Sequence, residues 1–196
     1  MKVFQDDEKQ DSKGPGKSSF IEEKLFKSRA ITIFGSIDDK LARSVTEKLL
    51  ALAADNDDPI TIYISSPGGH VESGDVIYDM IKFIKPQVKV VGTGWVASAA
   101  TTIFLAADKD QRFCLPNTRF LVHQPLGGAR GDATDIAIQA QQIVKMRARI
   151  NQLIANETGQ PLERVAQDTD RDYWMTTDEA IEYGIVGKVV RSASEI

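Results

Sequence analysis

The 196-residue chain has one cysteine, Cys114, and only two histidines, His70 and His123. A lone cysteine excludes an internal disulfide and a cysteine-rich zinc site, and it fits a reducing compartment. Basic residues are in the minority: Lys and Arg number 24 against 28 Asp and Glu, for a net charge of -4. A duplex binder needs a basic face to neutralise phosphates, so no nucleic-acid partner is expected. Long apolar runs are absent too. The longest, Val96 to Ala107, is broken by Ser98, Thr101 and Thr102 and is shorter than a membrane span. The opening residues, "MKVFQDDEKQDSKGPGKSS", have no apolar signal core and are too acidic for a transit peptide. These absences point to an intracellular, cytoplasmic protein with no membrane association.

What is present reads as one α/β domain. Residues 1–19 are polar and punctuated by Gly14, Pro15 and Gly16, the composition of a flexible arm. The packed domain is expected over 20–196. "AITIFGSI", "PITIYIS" and "VKVVGTG" read as strands. Between them, Leu41, Val45, Leu49 and Leu52 recur at helical spacing after Asp38-Asp39, and so do Val76, Ile77, Met80, Ile81 and Ile84 before Pro86. Strands alternating with helices predict a largely parallel sheet. "RFCLPNTRFLVHQP" reads as two short strands around Pro116-Asn117, followed by the Gly-rich loop "LGGARGD". A long helix is expected over about 133–157, ended by Gly159. Its apolar positions Ile136, Ala140, Ile143, Ile150 and Ile154 step near 3.5, which suits packing on a helix of another chain or on its own sheet. Pro161 opens a short helix, and Thr176 with Glu179 forms a capping box for another that stops at Gly184.

Chemistry has few places to reside. Ser98 lies in "GWVASAATTIFLAA", after a strand and a Gly-containing turn, where a buried helix of about 98–107 begins. There it is either an N-cap or a nucleophile near unpaired helix N–H groups. The sequence V-A-S-A-A is not the G-x-S-x-G elbow of the α/β-hydrolases. A hydroxyl nucleophile needs a base, and His123 ends an apolar strand where α/β folds place their sites. In "SSPGGHVESG", Gly68 and Gly69 let main-chain N–H groups approach an anion, as half an oxyanion hole or a phosphate cradle. The lysine of a P-loop is missing. "QDTDRDYW" offers Asp168, Asp170 and Asp172, any of which can orient a histidine, and spacing does not choose among them.

Taken together, "YISSPGG", "IYDMIKFIKP", "VASAA", "RFCLPNTRFLVHQPLGG", "ATDI" and "TGQPLERVAQDTDRDYWMTTDEAIEYGIV" resemble the proteolytic subunits of the Clp protease, ClpP, over about Ala30 to Val190. The resemblance implies a spiral of β-β-α units, related to the crotonases, with a protruding handle helix. It implies a Ser-His-Asp serine endopeptidase: Ser98 the nucleophile, His123 the base, Asp172 the orienting acid, and Gly69 and Ala99 the oxyanion N–H donors. Gln124, Pro125, Leu126, Gly127 and Gly128 match the family's substrate-pairing strand. Two stacked heptameric rings are implied, fed with unfolded polypeptide by a hexameric AAA+ unfoldase that spends the ATP. No metal or cofactor is implied. The chain departs from the family pattern in four places. Ala99 replaces a usual Met, Trp95-Val96 a usual Gln-Ala, and His70 an apolar or small residue, which reads as incidental rather than as a second base. The arm over 1–19 does not match the family's axial loops. A second expectation follows from these departures: a weakly active or regulatory subunit that works with a ClpP paralogue. A crotonase-type acyl-CoA enzyme fits "HQPLGG" and "DTDRDYW" poorly.

Overall fold

A computed structural model describes residues 17–196, so most of the arm expected over 1–19 lies outside the described residues. From Lys17 the chain is already helical (α1, Lys17–Lys27), an element that periodicity did not single out. The expected strand and helix alternation follows: β1 (Ala30–Phe34), α2 (Asp39–Asp55), β2 (Ile60–Ser66), α3 (Val71–Phe83), β3 (Val88–Ala97) and α4 (Ala99–Phe104). Then come β4 (Arg112–Cys114), β5 (Arg119–Val122), α5 (Ala133–Thr158), α6 (Leu162–Asp168), β6 (Tyr173–Met175), α7 (Thr177–Tyr183) and β7 (Lys188–Val189).

Local chemistry accounts for the boundaries. Asp38 caps α2 by accepting from the Leu41 N–H. Gly159 (φ 79°) and Gly184 (φ 92°) close α5 and α7 in the left-handed region that a side chain disfavours. The capping box of Thr176 and Glu179 is present. Helix α4 is shorter than expected, because Ala106 N–H bonds Ile103 O in a tightened last turn.

The sheet runs β1-β2-β3-β4-β7, parallel throughout. Strand β2 alternates strictly, with Ile60, Ile62 and Ile64 on the buried face, as a half-buried strand should. On that face α2, α3 and α4 pack against one another and bury Ile31, Ile33, Leu49, Ile77 and Phe104. Val76, expected on the buried stripe of α3, is exposed. The stripe is narrower than the run of apolar letters. The opposite face carries only a small cluster around Val91, Phe113 and Val190.

Strand β3 is long enough to serve two partners. Val90–Gly92 pairs with β4, and Trp95–Ala97 pairs with β5, to which β6 adds antiparallel. Gly94, at φ 63°, lies between the two stretches, and the β2–β3 register shifts beside it. This split carries β5 and β6 off the main sheet and brings both to the C-terminal end of β3.

Helix α5 spans 26 residues, about 39 Å at 1.5 Å per residue. Its two halves behave differently. Ile150, Ile154 and Ala155 are buried on the chain's own core, whereas Ile136, Ala140 and Val144 are exposed. The apolar stripe therefore covers the chain's own core at one end and is uncovered at the other.

Candidate active site

The end of β3 delivers Ser98, which starts α4. Its N–H bonds Leu121 O of β5 at 3.0 Å. Thr101 Oγ1 donates to Val96 O and Leu121 O, at 2.9 and 2.8 Å. These bonds tie strand end, helix start and β5 into one block. Ser98 adopts φ 58°, ψ −125°, one of two described non-glycine residues at positive φ, and its hydroxyl makes no capping bond. Such a conformation costs about 1–3 kcal/mol and persists only where the surroundings enforce it. The choice left open by sequence, cap or free hydroxyl, resolves toward the free hydroxyl.

That hydroxyl points at His123. Ser98 Oγ and His123 Nε2 are 2.8 Å apart, and His123 Nδ1 lies 3.0 Å from Asp172 Oδ1. An ionised carboxylate only accepts, so Nδ1 carries the proton and donates to Asp172. Nε2 is then bare and accepts from the serine hydroxyl. Strand pairing explains the second contact. Val122 of β5 faces Tyr173 of β6, so the residues just beyond them, His123 and Asp172, come opposite each other. The side chain of His123 is 13% exposed and that of Asp172 is 64% exposed. The other two aspartates have different partners: Asp168 pairs with Arg164 and Asp170 with Arg147.

The glycine turn after β2 lies against the same block. A Cβ at Gly68 would lie 2.6 Å from Ser98 Cβ and 3.1 Å from Ala99 N. Gly68 takes φ 93° and Gly69 φ 154°, both in the range that favours glycine. Gly68 N–H is used by Ser66 Oγ, and His70 N–H by Ile37 O. Among the described residues the N–H groups of Gly69 and Ala99 have no acceptor. Two free donors beside a hydroxyl–imidazole–carboxylate chain are the parts of an acyl-transfer site.

A recess beside Ser98 is lined by Val71, Ala99, Val122, Pro125, Ile150 and Ile154, with Asp75 also on its wall. Asp75 is held by both terminal nitrogens of Arg149. Residues 124–128 take no regular secondary structure and pair with no strand among the described residues. Gln124 alone is anchored, through Thr169 O and Asp170 O, while Leu126 is 84% exposed.

A family model described as Clp protease matches residues 13–193. The chain belongs to the Clp protease family. It is 56% identical over 194 residues to the ATP-dependent Clp protease proteolytic subunit 3 of Rhizobium etli, covering 97% of this chain and 99% of the relative. It is 56% identical over 180 residues to proteolytic subunit 2 of Gluconobacter oxydans, covering 91% of this chain and 81% of that one. Among solved structures, ClpP1 from Listeria monocytogenes superposes with a TM-score of 0.82 at 51% identity, over 89% of this chain and 98% of that one. The α/β fold with a largely parallel sheet, expected from the sequence, is shared with this solved structure.

Sequence reasoning missed the strained serine. No motif marks it, because the elbow is built from a bulged strand end and glycines some thirty residues away. The alternation of β2 and the "SPGG" that ends it are its only sequence trace.

Proposed function

We propose that the chain is a serine endopeptidase of the Clp family, with Ser98 as nucleophile, His123 as general base and acid, and Asp172 as its orienting carboxylate. The observation that carries this reading is the unbroken relay Ser98–His123–Asp172, built on a serine whose hydroxyl caps nothing. As the Ser98 oxygen attacks a peptide carbonyl, His123 Nε2 removes its proton. Asp172 keeps the imidazole in the reactive tautomer and stabilises the imidazolium. The carbonyl oxygen gains negative charge and takes hydrogen bonds from the N–H groups of Gly69 and Ala99; each such donor is worth about 10²–10³ in rate. Collapse breaks the C–N bond, and His123 returns the proton to the leaving amine. Water then repeats the sequence on the acyl-enzyme and regenerates Ser98.

The substrate on this reading is unfolded polypeptide. Its extended main chain pairs with the unpartnered segment 124–128, and its side chain enters the recess beside Ser98. The chain acts in the cytoplasm as a homo-oligomer, two stacked heptameric rings whose chamber receives substrate from an AAA+ unfoldase that hydrolyses the ATP. The relatives' names, "ATP-dependent" and "subunit", support this, as does the uncovered apolar first half of α5, the handle. A single peptidase domain spans 20–196, and the last residues of the arm that precedes it, 17–19, already belong to α1. No metal or organic cofactor enters the chemistry. A second reading is a subunit that needs a paralogue. It draws on relatives numbered 2 and 3, which implies several such chains in one organism.

Fluorophosphonate labelling with native mass measurement tests both. The assembled protein should be labelled at Ser98, and Ser98→Ala should abolish labelling and peptide cleavage. Unchanged cleavage by Ser98→Ala would end the first reading. Labelling that appears only after a paralogue is added would favour the second.

A further inference from the structure

His70, which follows the oxyanion glycine directly, is the second histidine of the chain and has no part in the relay. It is bound away from Ser98, toward the N-termini of two helices. Nδ1 lies 2.8 Å from Ser73 Oγ and 3.3 Å from Asp39 Oδ1, and Nε2 lies 3.1 Å from Glu72 Oε2. Ser73 Oγ donates to Asp39 Oδ1 at 2.5 Å. Ser73 has one hydroxyl proton and gives it to Asp39, so toward His70 its oxygen can only accept. Nδ1 must therefore carry a proton. With the Nδ1–H donating to Ser73 Oγ and the Ser73 hydroxyl passing its own proton to Asp39, the cluster closes.

The same residues hold the main chain of the turn. Ile37 N–H bonds Gly68 O, and His70 N–H bonds Ile37 O, each at 2.9 Å. A Cβ at Gly69 would fall 2.2 Å from Ile37 O, so the Gly69 peptide lies directly on segment 37–39. Main-chain bonds at Ile37 and side-chain bonds at Asp39 thus grip Gly68-Gly69-His70 from both sides.

We propose that His70, whose Nδ1–H is bonded to Ser73 and through it to Asp39, is a positioning residue that aims the Gly69 N–H at the oxyanion. This rests on the serine peptidase reading above. The Ser73 hydroxyl holds the Asp39 carboxyl below the usual carboxylate range, and His70 adds to the effect. The groups facing the imidazole are Asp39 from α2 and Ser73 and Glu72 from α3. The neighbouring Asp38 is turned to Leu41 N–H. Among the described residues no lysine or arginine forms an ion pair with Asp39 or Glu72. His70 is therefore the side chain that ties Ser73 and Asp39 to the turn, and its removal opens that half of the grip. All three titratable side chains are more than half exposed, so solvent screening keeps their weight in folding small. Their weight falls on orientation instead.

The test is steady-state cleavage of a short fluorogenic peptide by the assembled protein. Variants His70→Val and His70→Lys are compared with wild type at one pH, with thermal melts and Ser98 labelling alongside. Valine should lower kcat about 10-fold, part of the 10²–10³ of a full oxyanion donor, and leave KM within about 2-fold. Lysine restores a donor toward Ser73 and Asp39, so it should recover most of kcat. A valine variant with kcat within 2-fold of wild type, or a lysine variant as slow as valine with the same melt, overturns the proposal. If wild-type Ser98 resists labelling, the peptidase reading itself fails. Normal labelling with an unaffected valine variant removes only the role of His70.

Discussion

Gly68→Ala isolates the fit between the glycine turn and the nucleophile. The added methyl would stand 2.6 Å from Ser98 Cβ and 2.7 Å from Ala97 O. Ordinary carbon contacts are about 3.5–4.0 Å, so something must give by about 1 Å. Neither neighbour yields cheaply. Ser98 is fixed through its N–H on Leu121 O, and Ala97 lies in β3 opposite Leu121. The turn moves instead, and it carries the Gly69 N–H with it. A misplacement of about 1 Å costs about 10²-fold in rate, and full loss of one oxyanion donor about 10²–10³. The expected result is a fall in kcat of that order with KM little changed, because the donor acts on charge present only in the transition state. Stability should suffer less. A side chain at φ 93° costs about 1–2 kcal/mol. At about 2–4 °C per kcal/mol for a chain of this size, the melt drops about 2–8 °C. The assay is peptide cleavage at 25 °C, well below the melt, on rings verified by native mass at fixed concentration. A kcat within 3-fold of wild type, with the fold intact, would refute the placement of Gly68-Gly69 at the reacting carbonyl.

Two further predictions use other parts of the structure. Asp172→Asn presents an amide where His123 needs a pure acceptor, and kcat should fall at least about 10²-fold, the lower end of general-base contributions. The fall should be less than the full ~10⁴ of a buried orienting acid, because Asp172 is 64% exposed and water can accept in its place. Glu157→Gln should cost stability with little effect on chemistry. Arg112 is buried and donates to Ala107 O, Leu105 O and Glu157 O as well as to the Glu157 carboxylate at 2.6 Å, while Tyr78 and Lys82 also reach that carboxylate. Breaking a buried pair costs about 3–5 kcal/mol. The three carbonyl partners soften this to about 2–3, a drop of about 4–12 °C in the melt. Burial pushes the Glu157 carboxyl up, but the hydrogen bonds of Tyr78 and Lys82 and the nearby charges of Lys82 and Arg112 outweigh it and leave it below its ordinary value. The gain from Glu157 is therefore fully present above the unfolded value, about 4.3, and is lost as pH falls through the folded one. Melts of wild type and Glu157→Gln should converge in acid. Parallel melts across pH would refute this.

The alternation of strands and helices was legible because each element carries its own period. Leu41, Val45, Leu49 and Leu52 mark α2 wherever the helix packs, and Ile60, Ile62 and Ile64 mark a strand with one buried face. The caps at Thr176, Gly159 and Gly184 were legible for the same reason, since capping is local chemistry, and the α2 cap was narrowed to Asp38 or Asp39, of which the structure uses Asp38. Helix α1 and the exposure of Val76 were not, because they depend on what lies opposite. The family match also travels in the sequence, through "RFCLPN", "HQPLGG" and "DTDRDYW", and with it the expectation of which serine, histidine and aspartate to watch.

Composition and order alone left Ser98 a helix cap, His123 a strand end and Asp172 one of three equivalent acids. Their meeting depends on contacts far apart in the chain: β3 splitting its partners between β4 and β5, β6 setting Tyr173 against Val122, and the Gly68 turn pressing on Ser98. A hydrogen bond of 2.8 Å between residues twenty-five apart has no local sequence signature. The sequence by itself determined the elements, their caps and the supply of reactive groups, because these follow from neighbours along the chain. Only the tertiary structure decided which hydroxyl is left uncapped, which carboxylate lies against the imidazole, and which N–H groups beside them stay free, because each depends on strand register and on how the glycine turn packs.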